Sequence, residues 1–398
     1  MKASVGKRVL MLLENCTYPL DIRVRYESEA LVGIGYQVSV ICQRGPEEPW
    51  HENIDGVFVY RYPAPPQGKS TLGYLLEYSY SLVITFLLSL FVSASRGFDI
   101  IHAANPPDTT VFIALFYKPF GKRFVFDHHD LVPDMYLARS DHKGNRITYR
   151  MLSWLEKTSF RFAHHVVATN QSYKTVAIQR GHVPEEHITI VRNGPALDRL
   201  KLVEPDPDLK KRGAVIIGYI GVMGPQDGLD YLLRALQQLL TILGRSDFFC
   251  VIIGKGSALA DLKAYARQLG LDQYVWFTGF IPESDVMRYL STVDICVDPD
   301  PSNSFNDRCT MVKIMEYMAL SKPIVAFDLP EHRVSAEEAA IYARPNDELD
   351  FARQILMLMD DPERRKKMGE IGRERVEKQL AWPYQKEFLL RAYETLSQ

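Results

Sequence analysis

The sequence predicts an α/β protein made of two doubly wound, mostly parallel sheets in series. Apolar strand-sized runs alternate with helical patterns almost from end to end. The alternation breaks once, at a charged, proline-bearing stretch near the middle, and then restarts. The chain has 398 residues, 46% of them apolar, which suits two ordinary cores better than one.

RVLMLL (8–13) reads as the first strand, followed by a helical stretch near 24–34 and by QVSVIC (37–42). FDIIHA (98–103), RFVFD (123–127), HHVVAT (164–169) and ITIVRN (188–193) continue the series. Such runs belong to parallel strands covered by helices on both faces. Residues 195–213, PALDRLKLVEPDPDLKKRG, have three prolines, many charges and no apolar period, and read as a linker. AVIIGYIG (214–221), FFCVIIG (248–254), YVWFTG (274–279), DICVD (294–298) and PIVAFD (323–328) form the second series. From about 348 the chain is helical and charged; Trp382-Pro383 interrupts it and YQKEFLLRAYETL resumes a helical period. The expected domains are 1–195 and 214–380, with a linker at 196–213 and a last helix at 381–398.

A formal net charge of −2 argues against a nucleic-acid surface driven by counterion release. Cys16, Cys42, Cys250, Cys296 and Cys309 are odd in number and far apart, which implies a reduced, cytoplasmic protein with buried thiols. MKASVGKRVLMLLENC has basic residues and then only five apolar ones before Glu14, too few for a secretory signal. Tyr78–Ala94 has 17 residues without a charge but five serines and threonines. A span needs about 20 mostly apolar residues, so this run reads as a buried domain helix, with contact at a membrane surface as the alternative.

Doubly wound sheets bind ligands at the carboxyl ends of their strands, so the loops there are the place to look for chemistry. In GYIGVMGPQDGLD (218–230), Gly221, Gly224 and Gly228 let backbone approach a ligand, and a helix start near Asp227 would suit a phosphate. In NDRCTMVKIMEYMALSKP (306–323) a helix is expected near Thr310, capped by Asp307 or Thr310. Lys313 and Glu316 then share one face of a helix that is otherwise apolar. A carboxylate can accept both hydroxyls of a ribose diol, and an ammonium beside a helix N-terminus suits a diphosphate. An ion pair on a solvated face is the plainer alternative, which the apolar flanks disfavour.

In the first domain, VFDHHDLVPDMY (125–136) follows a strand. Its histidine pair reads as part of a polar substrate loop more readily than as a metal site, because adjacent side chains diverge. Asp21, Arg23 and Asn105 lie in two further strand-end loops. His164 and His165 start a strand and read as structural, and DPDP (298–301) reads as a proline-rich strand exit in preference to a DxD metal motif.

Taken in order, FDIIHAANPP, FDHHDLVPDMY, VRNGP, GYIGVMGPQDGLDYLLRAL, VWFTGFIP and KIMEYMALSKPIVAFD resemble the retaining family-4 glycosyltransferases of the GT-B fold. The chain looks closest to the bacterial subgroup that builds cell-envelope polysaccharide. The resemblance implies two Rossmann-like domains facing across a cleft and a last helix crossing back to the first domain. It also implies a nucleotide-diphosphate sugar as co-substrate, UDP-sugar favoured over GDP-sugar, with no cofactor and no metal. By this resemblance Glu316 holds the donor ribose and His129 lies near the transferred sugar. The family's acidic pair is spaced E-x7-E, but its first position here is Arg308, so Asp307 is the expected substitute. The loop at 223–228 lacks the family's basic residue, leaving Lys255, Arg308 and Lys313 to replace that charge.

The expected catalytic set is therefore His129, Asp307, Lys313 and Glu316, with Gly221, Gly224, Lys255, Gly279 and Arg308 also on the donor side. Asp21, Arg23, Asn105 and Asp130 are expected to meet a glycan or polyprenyl-linked acceptor, Arg23 at its phosphates. Contact with the inner leaflet near 70–96 follows if the acceptor is lipid-linked. A non-catalytic sugar-nucleotide-binding subunit of an assembly complex and a UDP-sugar 2-epimerase are the alternatives.

Overall fold

In the computed structural model, the described residues are 7–65, 71–140 and 144–396. Residues 1–6, where the signal-sequence expectation begins, and 66–70, 141–143 and 397–398 lie outside the described residues.

The apolar runs of the first half become a sheet of eight strands. They are β1 (Arg8–Leu12), β2 (Gln37–Arg44), β3 (His51–Ile54), β4 (Val57–Pro63), β5 (Ile100–Ala104), β6 (Arg123–His128), β7 (His165–Ala168) and β8 (Ile188–Ile190). Their order is β3-β4-β2-β1-β5-β6-β7-β8, and only β3–β4 is antiparallel. Met11 of β1 sits between Val40 and His102 of its neighbours. The chain order reverses across β1 and β5, the topological switch point of this sheet.

The second half forms a parallel sheet of six strands: β9 (Val215–Ile220), β10 (Phe248–Ile253), β11 (Val275–Gly279), β12 (Ile295–Asp298), β13 (Ile324–Phe327) and β14 (Ala340–Ala343). The order β11-β10-β9-β12-β13-β14 puts the switch between β9 and β12. β10 is buried along its whole length, the reason its sequence is apolar without alternation. Ile217 and Leu232 pack in the core on one face, Ile216 and Ile314 in the core on the other.

The chain divides into two compact units. One is Met1–Leu137, Lys143–Asn193 and Pro383–Gln398; the other is Ala138–His142 and Gly194–Trp382. The last helix (Trp382–Thr395) gives the first unit Tyr393, whose hydroxyl meets His102 Nδ1 on β5 at 2.7 Å.

Three features differ from the sequence reading. The hairpin β3–β4 turns at Asp55-Gly56, both at positive φ, the Asp-Gly pairing of a two-residue hairpin loop. The expected linker is instead bound to the second unit. Leu200 and Leu209 are buried in its core, and the Val203 and Asp206 amides donate to Ser291 Oγ (3.0 Å) and Thr292 Oγ1 (2.7 Å). Two well-placed leucines suffice where no apolar period exists.

The third difference is the uncharged run, which lies within a helix from Thr71 to Ser95 that is not a core helix. Its inward face is largely polar: Ser81, Thr85 and Ser89 are buried with Val92. Ser81 Oγ donates to Glu14 Oε1 at 2.7 Å, and Ser89 Oγ lies 3.0 Å from the Tyr117 hydroxyl. Leu76, Val83, Leu87 and Phe91 face outward.

Candidate active site

At the switch point of the second unit the loops after β9 and β12 are tied together. Asn306 Nδ2 donates to the Gln226 carbonyl at 3.0 Å and to the Pro301 carbonyl at 2.9 Å. Gly228 has φ 63°, and a Cβ there would run into the Pro299 carbonyl. Only glycine allows both that backbone and that approach. Beside them Gly254 N–H donates to the Gly279 carbonyl at 3.2 Å, and Lys255 lies in the next loop with its ammonium 4.7 Å from the Phe280 ring centre.

The helix expected near Asp227 starts instead at Leu229, after a short turn at Pro225–Asp227. The glycine loop has also spent most of its donors. Gly221 N–H goes to the Ile253 carbonyl (3.1 Å), Met223 N–H to the Lys255 carbonyl (3.1 Å) and Gly224 N–H to Asp227 Oδ2 (2.7 Å). This corrects the phosphate-cradle reading of Gly221 and Gly224: their role here is close packing of loops.

The helix carrying Lys313 and Glu316 spans Val312–Ala319, and no side chain caps it. Asp307 and Thr310, the expected caps, are engaged elsewhere: Asp307 Oδ2 accepts from Ser302 Oγ at 3.2 Å and Thr310 Oγ1 lies 3.4 Å from Glu331. The Ile314 amide turns back to the Met311 carbonyl at 3.2 Å, and the Val312 and Lys313 amides before it have no side-chain cap, which suits an anion.

Lys313 does not pair with Glu316. Its ammonium lies 3.0 Å from Asp298 Oδ1 and 2.9 Å from Asp300 Oδ2, and 4.8 Å from the Tyr219 ring centre. Its charge is thus committed to two buried carboxylates, which corrects the reading of Lys313 as a free cation for diphosphate. Burial opposes ionisation of Asp298, but Lys313 and His332 hold it below the usual carboxylate range. Burial and the neighbouring Asp298 charge push Asp300 well above that range. Asp298, Asp300 and His332 converge as metal ligands do, and the Lys313 ammonium already occupies the carboxylate side of that cluster. The DPDP stretch is therefore more than a strand exit.

Glu316 is half-buried, and its carboxylate has no hydrogen bond or ion pair among the described residues; burial raises its pKa, opposed by Arg199. Other acceptors of the second unit are also unmet. Gln226 Oε1, Asn306 Oδ1 and Asp307 Oδ1 are buried without hydrogen-bond partners among the described residues. Unmet buried acceptors cost about 1–3 kcal/mol each, and hydroxyl donors of a ligand would relieve them. Arg308 donates to the Ser304 carbonyl at 2.9 Å.

In the first unit, Asp127 is the last but one residue of β6 and is wholly buried. Arg23 grips it with Nε to Oδ2 at 2.8 Å and Nη2 to Oδ1 at 2.6 Å, and also reaches Glu27 (3.2 Å), the Val191 carbonyl (3.0 Å) and Asn193 Oδ1 (2.7 Å). So engaged and buried, Arg23 is not available to acceptor phosphates, which corrects that expectation. His129 Nδ1 lies 3.2 Å from Asp127 Oδ2. Burial would lower the His129 pKa, but the Asp127 carboxylate raises it. His102 Nε2 lies 3.1 Å from Glu27; despite burial, Glu27 and Asp127 push its pKa up to about 9.

Asn105 also departs from its expected acceptor role. It is buried, with Oδ1 accepting from the His129 and Asp130 amides at 2.8 and 3.0 Å and Nδ2 donating to the Asp130 carbonyl at 2.8 Å. It is the staple that shapes the loop. Asp21 caps the helix Ile22–Val32 by accepting from Val24 N–H at 2.9 Å, so one of its oxygens is structural. Asp130 is half-exposed beside His129. His164 and His165 are structural, His164 Nδ1 accepting from the Phe124 amide at 2.9 Å and His165 Nε2 meeting Thr189 at 2.8 Å.

The sequence reading passed over Glu27 and His102 in the first unit and His332 in the second, and it gave Asp127 and Asp227 no place among the site residues. Charged residues inside apolar runs were the available signal, as in FDIIHA.

Comparison with known proteins places these two switch points. Residues 21–194 match the glycosyl transferase 4-like domain and residues 214–361 match the glycosyl transferases group 1 domain, together well over half the chain. The 2-deoxystreptamine glucosyltransferase of Streptomyces kanamyceticus is 23% identical over 55% of this chain and 57% of its own length. The alpha-maltose-1-phosphate synthase of Mycolicibacterium smegmatis is 24% identical over 63% of this chain and 67% of its own. The chain thus spans little more than half of the first relative. Among solved structures, sucrose-phosphate synthase from Thermosynechococcus elongatus superposes with a TM-score of 0.79 at 18% identity, covering 98% of this chain and 99% of that one. Anabaena HepE in complex with UDP and glucose gives 0.72 at 17%, covering 98% and 100%. The chain belongs to the family-4 glycosyltransferases of the GT-B fold.

Proposed function

We propose that the protein is a retaining glycosyltransferase that moves a sugar from a nucleotide-diphosphate sugar to a hydroxyl of a glycan or polyprenyl-linked acceptor. The observation that carries this is the Glu316 carboxylate, without a partner among the described residues, on a helix with no side-chain cap, in the same unit as the buried, unmet acceptors of Gln226, Asn306 and Asp307. A ribose diol fits the first, a diphosphate the helix amides, and sugar hydroxyls the last three. A UDP-sugar is favoured, since HepE, a neighbour in fold, is known with UDP-glucose. A role in envelope polysaccharide synthesis draws on a putatively named teichuronic acid biosynthesis glycosyltransferase of Bacillus subtilis, 24% identical over 36% of this chain. The site of action is the cytoplasmic side of the membrane.

In the proposed reaction the bond from sugar C1 to the diphosphate oxygen breaks as an oxocarbenium-like state forms. The acceptor oxygen bonds to C1 from the same face, and its proton passes to the departing phosphate. The protein supplies position and charge stabilisation. His129, whose pKa the Asp127 carboxylate 3.2 Å away raises, donates to a sugar hydroxyl. No metal enters this reading, because Lys313 serves the acidic cluster as its cation.

The test is release of nucleotide diphosphate from UDP-, GDP- and ADP-sugars, with and without a lipid-linked acceptor. Acceptor-dependent release with retained anomeric configuration supports the reading. Binding of donor without release supports the non-catalytic subunit, and a 2-epimer product supports the epimerase.

A further inference from the structure

Three helical segments of the first unit turn apolar side chains to the outside on one connected surface. The helix Thr71–Ser95 presents Leu76, Val83, Leu87 and Phe91, with Leu76 64% exposed. Phe112, Phe116 and Phe120 are exposed at four-residue spacing in the segment after β5. The helix Arg146–Phe162 exposes Ile147, Met151 and Trp154, again on one stripe. Rings join the three: Phe86 lies 4.9 Å from Phe116, and Phe112 lies 6.2 Å from Trp154.

We infer that this surface is a docking face for an anionic phospholipid bilayer, lying in the plane of the interface. Charge complementarity selects that occupant. On a 3.6-residue period Arg146, Arg150, Lys157 and Arg161, all exposed, run along one shoulder of the Ile147–Trp154 stripe. Lys118 is exposed beside Phe120. The only acid on Arg146–Phe162, Glu156, is buried and bound to Arg180 at 2.9 Å. A basic shoulder with an aromatic and aliphatic face is what an interfacial segment presents to anionic lipid. By length and composition Gly73–Ser95, with mean hydropathy 1.8, is apolar enough to cross a membrane. Its inner face, however, is hydrogen-bonded to Glu14 and Tyr117 of its own unit, so it lies on the domain. This inference stands on the first unit alone and not on the transferase reading.

The experiment is flotation of the whole protein with phosphatidylglycerol-containing vesicles and with pure phosphatidylcholine vesicles. It compares the native chain with Val83→Glu/Leu87→Glu and with Ile147→Glu/Trp154→Glu. The native protein should float with the anionic vesicles, and each double variant should partition at least ten-fold less while keeping its melting temperature. Brominated lipid should quench tryptophan emission in the native protein and much less in Trp154→Phe. If the native protein stays soluble, or if the Ile147/Trp154 variant floats as the native does, the three-part face is wrong. If the variants change the oligomeric state and leave flotation alone, the face joins copies of this chain and the inference falls. Transfer to a water-soluble acceptor, measured on the same samples, reports on the catalytic reading separately.

Discussion

The ammonium of Lys313 lies 3.0 Å from Asp298 Oδ1, inside a cluster that also contains Asp300 and His332. One positive charge thus neutralises a pair of buried carboxylates at the end of β12. Removing one member of a buried ion pair typically costs about 3–5 kcal/mol, because the partner is left uncompensated. Lys313→Ala should therefore lower the melting temperature of the second unit before it changes any affinity. Added Mn²⁺ or Zn²⁺ should restore part of the loss by entering between Asp298, Asp300 and His332. A melting curve that Lys313→Ala leaves in place would show that the cluster does not depend on this cation.

Glu316 behaves in the opposite way. Its carboxylate has no partner among the described residues and burial raises its pKa, so nothing in the fold relies on its charge. Glu316→Ala should leave the melting temperature within a few degrees of native and cut kcat/KM for the donor at least a hundred-fold, about 2.7 kcal/mol. Near-native turnover by the folded variant would remove Glu316 from the donor site.

His102 predicts a pH dependence. Its pKa of about 9 in the folded state lies above the ordinary value of 6.5. A raised folded pKa gives stability that is fully present below about 6.5 and is lost as pH rises through 9. The full difference is roughly 3 kcal/mol. The first unit should melt progressively lower over that window, and His102→Gln should flatten the change. Asp108, raised to about 8 by burial and Glu156, adds loss in the same direction from about pH 4 upward.

Activity should survive EDTA, since Lys313 supplies the cation of the acidic cluster. Loss of transfer on chelation, restored by one divalent metal, would return Asp298 and Asp300 to the role of ligands.

The strand series of both units was legible because buried parallel strands need continuous apolar runs, and β1, β5, β9 and β10 have them. The hairpin β3–β4 was missed although Asp55-Gly56 marks it, because HENI is polar and lies at the sheet edge. Glu316 stood out in the sequence because an isolated carboxylate in an apolar helix needs a reason. The partners of Lys313 did not, because Asp298 and Asp300 are far from it in sequence and only the switch point brings them together. Asn105 lies just past a strand end, whereas Arg23, expected in a loop, lies in the first turn of the helix Ile22–Val32; burial and partners, which no local pattern reports, made both supports of the Asp127–Asp130 loop. The outward apolar face of Thr71–Ser95 was readable only as Ser81, Thr85 and Ser89 recurring every fourth residue.

The hydrogen bond from His102 to Tyr393 has a consequence for biosynthesis. The first unit is discontinuous in sequence, with most of the second, Gly194–Trp382, threaded between its residues 193 and 383. A ribosome finishes the whole second unit before it makes the helix that completes the first. Until then His102 and its acidic neighbours Glu27 and Asp127 lack their last cover. A nascent chain stalled near residue 380 would carry one finished unit and one open one, so the helix Trp382–Thr395 is what completes the packing around His102.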